Sequence, residues 1–308
     1  MMAATKETKR RGARLTALAV AAALLFSAGE AAALRLPPQK DSLFAFPGII
    51  ETREGGDFVV VDYDKQRDIH QRDTVPEKKV QWKYVSTGVN WQQAHYDYSG
   101  GNGRKLRFVG VGNLKREATM IVIFLHGQNG TRFLGADDWS FGGNFNRIKN
   151  MVVNAGGIYL SPDFSDFGAR GAADVKSLML DFAGRSPGAP IFLACGSYGG
   201  KLCWQLADDP QAASVISGML LLGSMPDDGF LSTAAMTGGR PIPLYFGHGS
   251  ADNVFAWQDQ ASFFERIRGA APGYPSKFVL FQTGSHGTPI RMTDWRQVIN
   301  WMLAANGY

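Results

Sequence analysis

The sequence is poor in the residues from which metal centres and disulfide frameworks are built. Two cysteines, Cys195 and Cys203, occur in 308 residues, too few for a stapled scaffold. Five histidines are present, and none stands in a His-Glu-x-x-His spacing. His126, His248 and Asp252 can be imagined as ligands, but no closely spaced His or Cys motif backs them, so neither a metal nor a cofactor is expected. Internal repeats are absent. The N-terminal apolar run, Leu15 to Phe26, is twelve residues long, short of the roughly twenty that a spanning helix needs. No long insertion separates Gly223 from Pro241, so any lid would be small, formed by Pro226 to Arg240.

What is present suits a globular chain: 45% of residues are hydrophobic and the formal charge is +5. That charge would suggest nucleic acid or an anionic surface if it were clustered on a fold. Instead Lys6, Lys9, Arg10, Arg11 and Arg14 precede the apolar run, and small residues, Ser27 to Ala33, follow it. This is the layout of a secretory signal. Ala31 and Ala33 fit a small-x-small cleavage pattern, so residues 1–33 are expected to be a signal peptide and 34–308 a single domain, periplasmic or secreted. Removing residues 1–33 leaves a charge of about +2, which takes away the case for a nucleic-acid partner. No cysteine near the start offers a lipid anchor, and no stable membrane anchor is expected after cleavage.

Segments Leu34 to Pro47 and Asp62 to Lys79 lack apolar periodicity and read as surface connections. Asp57 to Val61, Val80 to Val85, Trp91 to Tyr98 and Lys105 to Val111 read as antiparallel strands that begin a mixed sheet. From Thr119 onward the pattern becomes continuous apolar runs, 120–127, 157–164, 190–197, 218–224, 242–249 and 277–284. Such runs belong to parallel strands covered on both faces. Phe145 to Asn154, Ala172 to Phe182, Lys201 to Ala207, Trp257 to Ile267 and Met292 to Ala305 are the expected helices. Ligands of open α/β sheets bind beyond the carboxyl ends of the strands, so the residues that directly follow the apolar runs are the informative ones.

Cys195-Gly196-Ser197-Tyr198-Gly199-Gly200 lies between a buried run and a helix-length segment. His126-Gly127-Gln128-Asn129-Gly130 ends another run, Asp252 follows the run closing at Gly249, and His286 follows the last. Together these segments resemble the α/β-hydrolase superfamily, in its carboxylesterase and phospholipase-like branches, from about Lys105 to the C-terminus. The family's Gly-x-Ser-x-Gly turn would place glycine at 195, where this chain has cysteine. The resemblance implies an α/β-hydrolase fold: a mostly parallel central sheet, antiparallel N-terminal strands, and helices on both faces. It also implies Ser197 as nucleophile, His286 as base and Asp252 as the acid that orients it, in the chain order Ser, Asp, His. The backbone N–H groups of Gln128 and Tyr198 would form the oxyanion hole, worth about 3 to 4 kcal/mol per donor. Asp227 or Asp228 could supply the acid instead, Asp252 could be only a turn cap, and the His126 side chain is read as ordering its loop.

The expected activity is hydrolysis of a carboxylic ester, small or lipid-like, through an acyl-enzyme. A peptidase or amidase with the same triad, and a catalytically silent binding module, are the alternatives. Trp139, Phe141, Tyr198, Phe255 and Trp257 are candidate apolar rim residues. Cys195 and Cys203 flank the nucleophile and are either a disulfide bracing the turn or two buried thiols.

Overall fold

Runs with no polar face become strands with no exposed face. A computed structural model describes residues 33–100 and 103–308 of the chain. The expected signal peptide lies outside them, Ala33 apart. Strands β1 (Ile49–Arg53) and β2 (Phe58–Val61) come first, then a separate ribbon of β3 (Asp73–Val75) and β4 (Lys79–Val80), then β5 (Gln93–Ser99) and β6 (Lys105–Val111). The second half supplies β7 (Ile121–Leu125), β8 (Ile158–Pro162), β9 (Ile191–Gly196), β10 (Ile216–Leu222), β11 (Leu244–Gly249) and β12 (Ser276–Phe281). The helices are α1 (Asp41–Phe44), α2 (Asn144–Asn154), α3 (Ala169–Arg185), α4 (Gly199–Asp208), α5 (Pro210–Ala213), α6 (Trp257–Ala270), α7 (Thr288–Met292) and α8 (Trp295–Ala305).

Ten strands make one sheet in the order β1-β2-β12-β11-β10-β9-β7-β8-β6-β5. The seven from β2 to β8 in that order run parallel, while β1, β6 and β5 pair antiparallel with their neighbours. Alternation along each strand divides the core. Ile121, Ile123 and Leu125 of β7 share a core with Val175 and Leu178 of α3, Leu202 of α4 and Phe263 of α6. Val122 and Phe124 share the opposite one with Phe145 and Ile148 of α2 and Trp295 and Ile299 of α8. This is the expected α/β-hydrolase architecture, helices on both faces included.

The N-terminal third departs from expectation. Strand β2, expected among the antiparallel set, pairs in parallel with β12. Val80–Val85 is not a strand of the sheet: Val80, Tyr84 and Val85 form a small separate core with Phe44, and the Val80 N–H is taken by the Trp139 carbonyl. Strand β1 has every residue exposed, so it carried no burial pattern to read. The expected helix 292–305 is broken at Thr293 and Asp294, where Asp294 accepts from the Arg296 and Gln297 N–H groups and caps α8.

Segment 62–79 is not the surface connection expected. Tyr63 and Ile69 join the main core, and Asp68, Arg72 and Asp73 are buried as well. Arg291 of α7 clamps Asp73 with two hydrogen bonds of 2.9 and 2.7 Å and donates a third to the Asp68 carbonyl. Both side chains are nearly dry, at 4% and 0% exposure. Breaking a buried pair leaves one charge uncompensated, so Asp73→Ala should lower stability by about 3–5 kcal/mol, measured by urea unfolding. A loss below about 1 kcal/mol would mean that the segment is held by its apolar contacts alone. Leu34–Pro47 is tied down in a similar way, with Leu36 and Phe44 buried and Asp41 paired to Arg147 and Arg296.

Candidate active site

Four carboxyl ends of parallel strands converge. Ser197 follows β9 with φ of 53°, a left-handed conformation that costs a non-glycine residue about 1–2 kcal/mol. The turn is held by the Ser197 N–H donating to the Leu222 carbonyl at 3.0 Å, and by the Ser197 carbonyl accepting from Ser224 Oγ at 2.9 Å. Its neighbours must be small. A Cβ on Gly199 would overlap the Leu125 carbonyl, and one on Gly127 would stand 2.7 Å from Ser197 Cβ. Those two glycines let the loop after β7 lie directly against the Ser197 turn. Cys195 points the other way, into the core with Cys203, and the two are disulfide-bonded across β9 and α4. Cysteine therefore replaces the family's glycine at a position where the backbone does not need one.

Ser197 Oγ donates to His286 Nε2 at 2.9 Å, and His286 Nδ1 donates to Asp252 Oδ2 at 2.8 Å. Asp252 is fully buried at its side chain. Its Oδ1 accepts from the N–H groups of Val254 and Phe255 at 2.8 and 3.1 Å. Burial by itself would raise the Asp252 carboxyl, but hydrogen bonds from His248, His286 and Val254 outweigh it and hold the group well below the usual carboxylate range. It is therefore an anion at any neutral pH. The alternative acids are placed elsewhere: Asp227 caps a turn by accepting from Gly229 N–H, and Asp228 pairs with Arg266.

Of the two expected oxyanion donors, Tyr198 immediately precedes α4 and Gln128 sits in the turn after β7. Among the described residues neither N–H has a protein acceptor, and α4 adds the positive end of its dipole behind Tyr198. His126 orders that turn, donating from Nδ1 to the Gly127 carbonyl at 2.9 Å. Burial pushes its imidazole below the ordinary range, against the opposing pulls of Gly127 and Asp163.

A row of aromatic rings links His126 to His286 by way of Tyr198, the neighbour of Ser197. His126 stacks on Phe164 at 4.3 Å, Phe164 meets Phe167 at 5.3 Å, Phe167 meets Tyr198 at 5.8 Å, Tyr198 meets Phe255 at 5.4 Å, and Phe255 meets His286 at 5.8 Å. Tyr198 and Phe255 were legible as rim residues. Phe164 and Phe167, in the loop after β8, were not, although the same rule of reading past strand ends would have found them. Phe141 packs on Phe145 and also lies beside Gly287, next to His286, whereas Trp139 packs edge-on to Trp82 and Trp257 packs on the core. Sequence reasoning also missed His248. Its signal was a polar residue inside an otherwise apolar run, four positions before Asp252. No cluster of three or more His, Cys, Asp or Glu residues able to hold a metal ion occurs among the described residues.

Comparison with known proteins adds the lineage. A thermostable esterase of known structure superimposes with a TM-score of 0.54 at 13% identity, covering 69% of this chain and 62% of that one. An alpha-beta serine hydrolase homologue from Coxiella burnetii gives 0.49 at 17% identity, covering 69% of this chain and 96% of its own. Esterase 2 of Thermogutta terrifontis, phosphorylated by paraoxon, gives 0.48 at 17%, with 70% and 92% covered. At 13% identity the likeness to the thermostable esterase speaks to the fold alone. No curated protein sequence matches the chain. The model of the alpha/beta hydrolase family matches residues 122–306, from β7 through α8 and across all four strand ends that meet at Ser197. With more than half of its length matched, the chain belongs to the alpha/beta hydrolase family.

Proposed function

We infer that the chain is an exported serine hydrolase that cleaves a carboxylic ester through an acyl-enzyme on Ser197. The observation that carries this is the unbroken line from Ser197 Oγ through His286 to the buried Asp252 carboxylate, with two unengaged N–H groups beside it. His286 Nε2 takes the hydroxyl proton as Oγ attacks the ester carbonyl, and the resulting oxyanion is met by the N–H groups of Gln128 and Tyr198. Collapse breaks the C–O bond, and His286 returns the proton to the departing alkoxide. Water then enters, gives its proton to His286 and releases the acid, regenerating Ser197. Asp252 holds Nδ1–H in place and stabilises the imidazolium between transfers. The row of Phe164, Phe167, Tyr198 and Phe255 supports an apolar or aryl substituent on the ester.

Two groups of experiments test this. The first is fluorophosphonate labelling of the purified protein with short nitrophenyl esters as substrates. Labelling and turnover that both require His286 are expected. Cleavage of peptide amides at a comparable rate would shift the reading to a peptidase, and absence of labelling in folded protein would make the chain a silent module. The second concerns export, which rests on residues 1–33 and is supported by the Cys195–Cys203 disulfide, a bond that persists in oxidising compartments. Protein recovered outside the cytoplasm should begin at or within a residue or two of Leu34, and recovery only from the cytoplasm with residues 1–33 intact would contradict it.

A further inference from the structure

His248 extends the line just described: it meets the same Asp252 oxygen that His286 does. It lies in β11, where Leu244 and Phe246 on the same face join the core, and its side chain is completely buried. A histidine placed there by packing alone would leave two polar nitrogens unpaired, which burial penalises. Instead Nε2 is 3.0 Å from the Phe255 carbonyl and 3.3 Å from Asp252 Oδ2. The carbonyl can only accept, so Nε2 carries the proton and donates to it, with the Asp252 carboxylate as its second, longer contact. Nδ1 has no hydrogen-bond partner among the described residues.

We propose that His248 is a positioning residue for the proposed reaction, fixing Asp252 and through it the orientation of His286. The assignment rests on the triad reading given above. Two contacts divide the work. The bond to the Phe255 carbonyl closes the 249–255 loop, whose other end is pinned by Ser250 and Ala251 N–H groups donating to the Phe281 and Gly284 carbonyls. The contact with Oδ2 falls on the same oxygen that receives His286 Nδ1–H, so Oδ2 lies between two imidazoles while Oδ1 is held by two backbone N–H groups. The carboxylate is thus held at both oxygens. It therefore needs no reorganisation when His286 becomes charged, which is when its orientation matters. Among the lowering influences on the Asp252 carboxyl, the His248 hydrogen bond comes first.

The test separates a donor from a space-filler. His248→Gln can place an amide N–H where Nε2 stands, whereas His248→Asn reaches only as far as Nδ1 and His248→Leu fills the space without a donor. Active sites are counted by fluorophosphonate titration, and kcat is expressed per titrated site. Loss of one hydrogen bond to a charged group should lower kcat about 10- to 100-fold in the Asn and Leu variants, with KM little changed. The Gln variant should stay within about 3-fold of wild type by the same scale, since it keeps the bond. In an Asp252→Asn background the same changes should lower kcat no further, because the carboxylate they position is already lost.

A purely structural role would lower the melting temperature and the titrated fraction but leave kcat per site unchanged, and that result overturns the proposal. Equal impairment of Gln and Leu variants overturns it too. If the Leu variant does not fold, the Gln and Asn pair carries the comparison. A wild type that takes up no fluorophosphonate would instead sink the triad reading itself, a distinguishable outcome.

Discussion

Ser197→Ala is expected to lower kcat for a short nitrophenyl ester by about 10⁶-fold, with urea stability within about 0.5 kcal/mol of wild type. The two halves of that expectation have separate physical origins. Removing Oγ removes the atom that forms the covalent bond, and His286 Nε2 then faces only water, so the residual rate comes from substrate binding and the oxyanion donors. Stability is preserved because alanine, like serine, has a Cβ to accommodate at φ of 53°, and the backbone bonds that hold the turn, to Leu222 and Ser224, do not involve Oγ. A kcat loss under about tenfold would assign the nucleophile elsewhere. Circular dichroism and unfolding of the same preparation guard against a trivial loss through misfolding.

Asp252→Asn should lower kcat by about 10⁴-fold through the wrong histidine tautomer. The surroundings of Asp252 make the direction of failure predictable. Oδ1 accepts two backbone N–H bonds, so an asparagine keeps its carbonyl oxygen there and turns its NH₂ towards Oδ2's place. That NH₂ donates to His286 Nδ1, which must then be bare, and the ring proton moves to Nε2, aimed at Ser197 Oγ. The base has lost its lone pair. The same NH₂ also faces the N–H of His248, a donor against a donor, so a stability loss of about 1–3 kcal/mol should accompany the kinetic one. Retention of more than about a tenth of wild-type kcat would mean that Asp252 is not the orienting acid.

Legibility of the site followed chain adjacency. Ser197, Asp252, His286, Gln128 and Tyr198 each sit within a few residues of a largely apolar run, and in a parallel sheet every such run must end on the same edge. Reading the residues just past the runs therefore named the line that the structure brings together, and the family match begins at the first of those runs. Where a residue's role depended on something distant in sequence, adjacency offered nothing. Arg291 and Asp73 are 218 positions apart, and a charged stretch such as 62–79 looks solvated until its partner is known. Strand β1 was invisible because, as an edge with all side chains exposed, it is held by backbone bonds that leave no trace in hydrophobic pattern.

The sequence by itself thus determined the architecture of residues 105–308 and the set of groups available to react, because apolar periodicity and turn chemistry are local properties. Only the tertiary structure decided which carboxylate meets His286, that His248 touches the same carboxylate, that Phe164 and Phe167 link His126 to Tyr198, and that Cys195 bonds Cys203. Those are distances between elements, set by strand order and register in the sheet, and no short-range pattern encodes them.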